Sequence, residues 1–561
     1  MLRVKDLKRV TVCAKWLLEL YPPEQTALQL GWGRDYDFYR TADGRRGMGR
    51  EERGDVASLL TRRPGLTSLT VRDAKAIQAL LPALASGTCP KLRELRTAPG
   101  GDPWADEEVR ALGQALSARA ASGGSGLTHL ALSGTFAASV GGVLGAPGCE
   151  GLQELALKGR GERHGLAESV GAYLTATRAV ELRRLTVDFS PTDQDCQMAD
   201  GEALVTAFAP GVAPRVEALS LVCLALHGPG AQHLSGVMGR GGWPGLQTLA
   251  LKYAGLEAED VEALLRGLVQ SGGRGRLTAL DLSGSPFEDE GAQALATALA
   301  EGACPALEAL TLSDCVMGAE GVGALGQALA HGACRGLREL VLCGNVMGHQ
   351  GVLGLSRALE SGAGANLTRL DLSMVGMSAT AAGALGTVLR NGACPHLQKL
   401  DLSWQGLGDS GLIRFTRAFK GGGALGLTEL RLAGVGMGSK GFGALMEAVE
   451  EGSFPCLQML HFESQKVGDE AILRLAQVLG KGGLGGLKEL NLYDVGMGDK
   501  GAVALAEALE NGACPDLVYV VAHELAGLTA EAAKRVRNTV LERRKRDAKC
   551  RRLLGVGVGA R

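Results

Sequence analysis

Residues 397–415, LQKLDLSWQGLGDSGLIRF, read as a short apolar strand, a turn Gly406-Leu407-Gly408-Asp409-Ser410-Gly411, and the opening of a helix. The same letters outline a dinucleotide site: strand, G-x-G-x-x-G, helix, a second strand at 427–432, and Glu429 placed where an acid would bind a ribose hydroxyl. Whether the stretch is unique in the chain decides between a nucleotide cradle and a structural turn.

It is not unique. L-x-x-L-x-L begins at Leu277, Leu307, Leu337, Leu367, Leu397, Leu427, Leu457 and Leu487, with a degenerate copy at Leu517, and every step is 30 residues. Looser copies begin at Leu66, Leu92, Leu127, Leu152, Leu182, Val216 and Leu246, at steps between 25 and 35 residues. That makes sixteen units, with one more doubtful copy at 7–12. A period of this length marks a solenoid. Within a unit the apolar spacing changes from two, as at Leu280 and Leu282, to four, as at Leu295 and Leu299, so a strand is followed by a helix.

The uniform slots read as packing. Met317, Met347, Met377, Met437 and Met497 share one place, with Phe287, Leu407 and Val467 in the other copies, and a Met stripe in register with a repeat is core filling. Gly291, Gly321, Gly351, Gly411, Gly441 and Gly501 recur where the helix begins. Six of the thirteen Cys (Cys89, Cys149, Cys304, Cys334, Cys394, Cys514) occupy one equivalent place and read as small buried residues. Gly408 belongs to a turn slot shared with Gly318, Gly348, Gly438, Gly468 and Gly498, and Glu429 falls inside the next repeat strand. The dinucleotide match is therefore a coincidence of a repeated turn.

The unit LRELVLCGNVMGHQGVLGLSRAL at 337–359 shows the pattern most fully. It resembles the leucine-rich repeat of ribonuclease-inhibitor type, shared with the Ran GTPase-activating protein and the repeat domains of NOD-like receptors. The resemblance covers about 66–540 and implies an α/β solenoid, a horseshoe with a parallel sheet on the concave face and helices on the convex face. One slot departs from that family. Where Asn or Cys is usual, the chain has Asn345 and Cys315 but also Ser285, Val375, Gln405, Val435, Gln465 and Val495, so backbone or water is expected to replace an Asn ladder.

Function is sought where the repeats vary, at the third, fifth, seventh and eighth residues of each unit. There Asp371, Asp401, Trp404, Arg431, His461, Glu463, Asn491 and Tyr493 form a candidate protein-binding patch on the concave face, because aromatic anchors and charged partners dominate interfaces. If this phase holds, Leu400→Ala is expected to destabilise by about 2–5 kcal/mol and Asp401→Ala by no more than about 0.5 kcal/mol.

Composition bounds the remaining readings. Gly reaches 84 of 561 residues and aromatics only 4%, as suits one small-residue packing solution reused many times. No C-x-x-C pair, G-x-S-x-G elbow or G-x-x-x-x-G-K-[ST] loop occurs, and HELAG at 523 lacks the second His of a zinc helix. The expectations are accordingly no enzyme, no metal, no cofactor and no small-molecule substrate. The apolar N-terminal stretch is broken by Lys8, Arg9 and Lys15, and no run long enough for a transmembrane segment occurs, which points to the cytoplasm or the nucleus.

By this reading 1–65 is an N-terminal cap or a degenerate repeat, 66–276 holds irregular repeats, and 277–516 holds eight regular ones. Residues 517–541 hold a degenerate last repeat and a capping helix begun by Thr529, and 542–561 a disordered basic tail. Residues 534–552 carry ten Lys and Arg, centred on Arg543, Arg544, Lys545 and Arg546, against Glu542 and Asp547, and three readings stand: a solvated helix end docking on the chain's own acidic repeats, an import signal for an import receptor, or a weak contact with an anionic surface of nucleic acid or lipid. The function expected is a non-catalytic protein-binding scaffold or inhibitor. The alternatives are a GTPase-activating regulator resembling the Ran activator, whose acidic segment this basic tail does not match, and the ligand-sensing repeats of an innate-immune-type receptor.

Overall fold

A computed structural model describes residues 10–12, 27–30, 65–71, 74–97, 104–134, 139–159, 165–189, 199–271, 276–420, 426–522 and 528–553. Most of the segment 1–65 expected to form an N-terminal cap, with its aromatics Trp16, Tyr21, Trp32, Tyr36, Phe38 and Tyr39, lies outside these, as do His523 and residues 554–561. Contacts divide the chain into two compact units, Met1–Leu256 with Arg266–Leu277, and Glu257–Leu265 with Thr278–Arg561.

In the second unit each repeat contributes a three-residue strand, from Ala279–Asp281 through Lys399–Asp401 to Tyr519–Val521. All pair in parallel and without slippage, so the fourth residue of every repeat, Leu280 to Leu490 and then Val520, forms one row. Parallel neighbours need a crossover, and a helix supplies it in each regular repeat. The leucines of the row are at most 2% exposed, sealed between sheet and helices. The Met slot and the shared Cys slot are buried as expected.

The eighth residue of every regular repeat, from Gly284 to Asp494, is left-handed, with φ between 52° and 74°. For Asp314, Met374, Trp404, Ser464 and Asp494 this conformation costs on the order of 1–2 kcal/mol each. It is offset because the turn aims the backbone N–H at the next repeat: Asp314 donates to Cys343 O (2.8 Å), Met374 to Ser403 O (3.0 Å), and Trp404 to Ala433 O (2.6 Å).

Beyond that turn two kinds of repeat alternate. In those at 277, 337, 397 and 457 the twelfth residue (Glu288, Gly348, Gly408, Gly468) is left-handed and begins the helix. In those at 307, 367, 427 and 487 the tenth (Val316, Gly376, Gly436, Gly496) is left-handed, and an extended Gly318, Ser378, Gly438 or Gly498 precedes the helix.

The ninth residue shows why. Asn345 Oδ1 accepts from the N–H of Cys315 (3.1 Å) and Met317 (3.0 Å), and its Nδ2 donates to Leu312 O and Leu342 O. Gln405 and Gln465 do the same work, accepting from Met377 and Met437 (both 2.9 Å) and donating to Leu372 O and Leu432 O. In the other kind Val375, Val435 and Val495 have no amide, and their carbonyls accept from Gly348, Gly408 and Gly468. The expectation that backbone or water replaces the ladder is thus corrected in part: backbone carbonyls do serve the Val-bearing repeats, but in two others a Gln, one methylene longer than Asn, bridges the same gap.

Asp289, Asp409 and Asp469 also work across the repeat boundary, each accepting two N–H bonds at the next helix start. The GLGDSG turn is therefore fully occupied within the protein. Gly408 supplies the left-handed residue, Asp409 caps the following helix through Gly438 and Gly441, and a Cβ on Gly411 would stand 2.7 Å from that of Leu407.

The first unit carries a parallel sheet of the same kind. The strands at Ser68–Val71, Glu94–Thr97, His129–Gly134, Glu154–Gly159, Arg184–Asp188, Ala218–Val222 and Thr248–Lys252 pair in sequence. Strands Val10–Val12, inside the doubtful copy, and Ala27–Leu30, which no sequence signal marked, precede them. With uneven repeats the slots are not interchangeable, and single contacts take over. Arg119, only 3% exposed, donates to the carbonyls of Cys89, Pro90 and Leu92 and so pins an inter-repeat turn.

At the other end Thr529 Oγ1 accepts from the Ala532 N–H, and the helix that follows buries Ala532, Val536 and Val540. This helix runs Ala530–Leu553. Residues 542–553, expected to be disordered, continue it: Lys, Arg and Ala favour helix, and no Gly or Pro interrupts before Gly555.

Asn345→Leu should destabilise the chain by at least about 2 kcal/mol, since it strands two buried N–H groups, and Leu400→Ala by about 2–5 kcal/mol. Val435→Ile, whose side chain carries no inter-repeat bond, should stay within about 1.5 kcal/mol. Urea midpoints of the three variants check the ordering; a near-neutral Asn345→Leu would contradict the amide bridge.

Candidate protein-binding surface

The strand register sets Asp371, Asp401, Arg431, His461 and Asn491 in one row on the sheet face, one per repeat. Neighbouring repeats are about 4.8 Å apart there, so small side chains are shielded by those beside them. The face is consequently less open than alternation alone predicts. Asp371 and His461 are each 8% exposed, and Ser373, Ser403 and Ala433 are buried too.

Most of the expected binding residues are committed to local structure. Asp371 Oδ1 accepts from the N–H and hydroxyl of Ser373 (3.1 and 2.6 Å), and Asp401 Oδ1 from the N–H of Ser403 (2.9 Å), which fixes the strand exits. Asn491 Oδ1 likewise accepts from the Tyr493 N–H (3.1 Å). Arg431 is held by Glu429, which also faces Lys399 at 3.7 Å. The acid once considered for a ribose is thus neutralised by two cations. His461 Nε2 lies 3.2 Å from Glu489 Oε1. Glu463 Oε2 is shielded from solvent without a hydrogen-bond partner, and Arg431 is its cationic neighbour. Tyr493 is half-buried.

Trp404 differs. It sits at the left-handed strand exit, 55% exposed, with its ring over Gly434, where an added Cβ would come within 2.6 Å of Trp404 Cζ3. Three further exposed apolar side chains, Val316, Val346 and Met374, stand at the exits of the three preceding repeats. They were missed because Val and Met read as core by type. The usable signal was positional, since the eighth and tenth places lie outside the apolar ladder.

Electrostatically the face is acidic and strained. Burial pushes the Asp401 carboxyl above its ordinary value, against the hydrogen bonds from Ser403; Asp371 beside it pushes the same way, and Arg431 opposes. Partial desolvation raises the more exposed Asp314 as well. Among the described residues no group of three or more His, Cys, Asp and Glu could hold a metal ion. No helix among them is long and apolar enough to cross a membrane.

Comparison with known proteins agrees with the repeat reading. The family model described as Leucine Rich repeat matches residues 277–296, 303–326 and 393–415, and the chain carries leucine-rich repeats. No curated protein matches it. Among solved structures, an internalin from Listeria monocytogenes is similar over 80% of this chain and 95% of its own, at 12% identity and a TM-score of 0.31. The ectodomain of the Arabidopsis receptor kinase HAESA, in complex with a peptide hormone ligand, is similar over 93% of this chain and 73% of its own, at 13% identity and a TM-score of 0.35. The tropomodulin C-terminal domain of Caenorhabditis elegans is similar over 28% and 89%, at 18% identity and a TM-score of 0.23.

The hydrogen bonds at Asp401 change what its substitution should do. Asp401→Ala leaves the Ser403 N–H without its acceptor and should cost about 1–3 kcal/mol rather than about 0.5. Asp401→Asn keeps an acceptor and removes the charge. An acid whose folded pKa is raised binds its proton more tightly folded than unfolded, so its penalty is full above the folded value and fades as pH falls towards the ordinary value of 3.8. Asp401→Asn should therefore melt no lower than wild type at pH 7, with any advantage shrinking as the pH approaches 4. Thermal melts across that range would contradict the assignment if the gap widened at low pH.

Proposed function

We propose that the chain is a non-catalytic protein-binding scaffold that engages a protein partner through the sheet face and strand exits of its second unit. A leucine-rich repeat scaffold of this kind typically mediates protein binding, and one observation supports locating the contact here. Trp404 is large, exposed and seated on a fixed glycine, in the manner of an interface anchor, whereas the polar residues around it are held by neighbours. A contact here needs no side-chain chemistry beyond burial and charge, so no catalytic role is assigned. The 30-residue step, the helix in each regular unit, and Cys315 and Asn345 in the ladder slot support the ribonuclease-inhibitor-like subtype. The ten free thiols of the described residues suit a reducing compartment, cytoplasmic or nuclear.

The basic end gives a second, weaker contact. The helix carries its positive run beyond the buried Val540, and this supports a role in meeting an anionic surface or an import receptor. Deleting 543–561 should leave the melting temperature unchanged and remove binding to phosphatidylserine vesicles. A lower melt would assign the segment to the cap instead.

For the main contact, the full chain is used to purify its partner from native cells, and the complex is cross-linked and mapped by mass spectrometry. Cross-links should fall on residues flanking the strands of 307–493. A partner cross-linked only to the helices would overturn the reading.

A further inference from the structure

Four consecutive strand exits hold large apolar side chains in solvent: Val316, Val346, Met374 and Trp404, between 45% and 69% exposed. Their bulk shifts diagonally from the tenth position of the repeats at 307 and 337 to the eighth position of those at 367 and 397. Where the eighth residue is bulky, the tenth is Gly376 or Gly406; where the tenth is Val, the eighth is Asp314 or Gly344. One large side chain is thus displayed per turn. Asp314 N–H donates to Cys343 O, Gly344 to Ser373 O, and Met374 to Ser403 O, so the turns follow one another along a single edge. Three steps of about 4.8 Å give a ridge of about 14 Å, the length of four or five extended residues.

The ridge is rigid. Its eighth residues are fixed in the left-handed conformation, and the Trp404 ring rests on Gly434, which has no side chain to displace it. An anchor held in place before binding loses little freedom on contact. Beside the ridge, the third, fifth, seventh and eighth positions of the repeats from 277 to 457 carry seven carboxylates against three cations, an excess of four negative charges. Of those carboxyls, Asp401 is held above its ordinary value by burial and the more exposed Asp314 by partial desolvation, and a cation placed against them would relieve that burden.

We propose that this ridge takes a short extended segment of a partner protein, in which an aliphatic or aromatic side chain is flanked by Lys or Arg, with Trp404 as its anchor. The inference rests on the scaffold reading above and specifies the partner of the same site. Its linear form suits a segment rather than a globular surface, and its charge disfavours nucleic acid and anionic lipid.

The test is a screen of random displayed peptides of about twelve residues against the full chain. Enriched peptides should carry Trp, Phe, Leu or Met next to Lys or Arg. A synthetic peptide of the enriched sequence should bind at least about thirty-fold more weakly to Trp404→Ala. Trp404→Phe should retain most of the affinity, and Leu473→Ala, exposed on a helix, all of it. In the Asp314→Asn, Asp401→Asn double variant, affinity should fall about tenfold and depend less steeply on salt than in wild type. Circular-dichroism melts confirm that each variant is folded, and Trp404→Phe keeps the test decisive if the alanine variant is not. Enrichment of acidic or uncharged peptides, binding indifferent to Trp404→Ala, or an empty screen would overturn the proposal. Peptides whose binding fails with Tyr493→Ala and not with Trp404→Ala would sink this inference and leave the scaffold reading standing; partner cross-links confined to the helices would overturn both.

Discussion

From Gly284 to Ser464 each strand-exit turn hands its backbone N–H to a carbonyl of the next repeat, and the rest of the second unit depends on that transfer. A stack of short parallel strands leaves polar backbone at every turn, and burying it unpaired would cost about 1–3 kcal/mol per group. The chain meets this demand in two alternating ways. Asn345, Gln405 and Gln465 reach back with a side-chain amide, and the Val-bearing repeats between them offer a backbone carbonyl. The alternation also decides where each helix begins, through a left-handed twelfth residue in one kind and an extended capping residue in the other.

The same bonds determine what the surface displays. Aiming the N–H at the neighbour forces the eighth residue into the left-handed region, and its side chain then projects over the eighth place of the following repeat. Asp314 lies over Gly344 and Trp404 over Gly434 for this reason. Stability and display are coupled at the largest exit residue, Trp404, whose ring lies where the next repeat has only Gly434. Across the sheet face, close strand spacing draws the other candidates inward, so that Asp371 and Asp401 serve first as acceptors for the serines two residues on.

The repeat, its register, the strand-to-helix switch and the buried Met, Gly and Cys slots were legible in the sequence because each is a periodic consequence of packing. The misreading of the dinucleotide motif was avoidable for the same reason, since Gly408 has counterparts at every other step. What escaped was non-periodic or depended on reach. Whether Gln405 can do the work of Asn345 turns on a gap between two turns that no single sequence reports. The burial of Asp371 and His461 comes from neighbours 30 residues away in the chain. Val346 and Met374 looked like core by residue type, although they are among the most exposed apolar residues described. The helix beyond Val540 was hidden by its charge, which reads as disorder while favouring helix locally.

The central claim is that these turns are rigid parts of the stack rather than loops, and residue-resolved hydrogen exchange on the free chain tests it most directly. The amides of Asp314, Gly344, Met374, Trp404 and Gly434 should exchange as slowly as those of the adjoining strands, because each donates to the next repeat. Fast, loop-like exchange at these five positions, with the strands protected, would contradict the account.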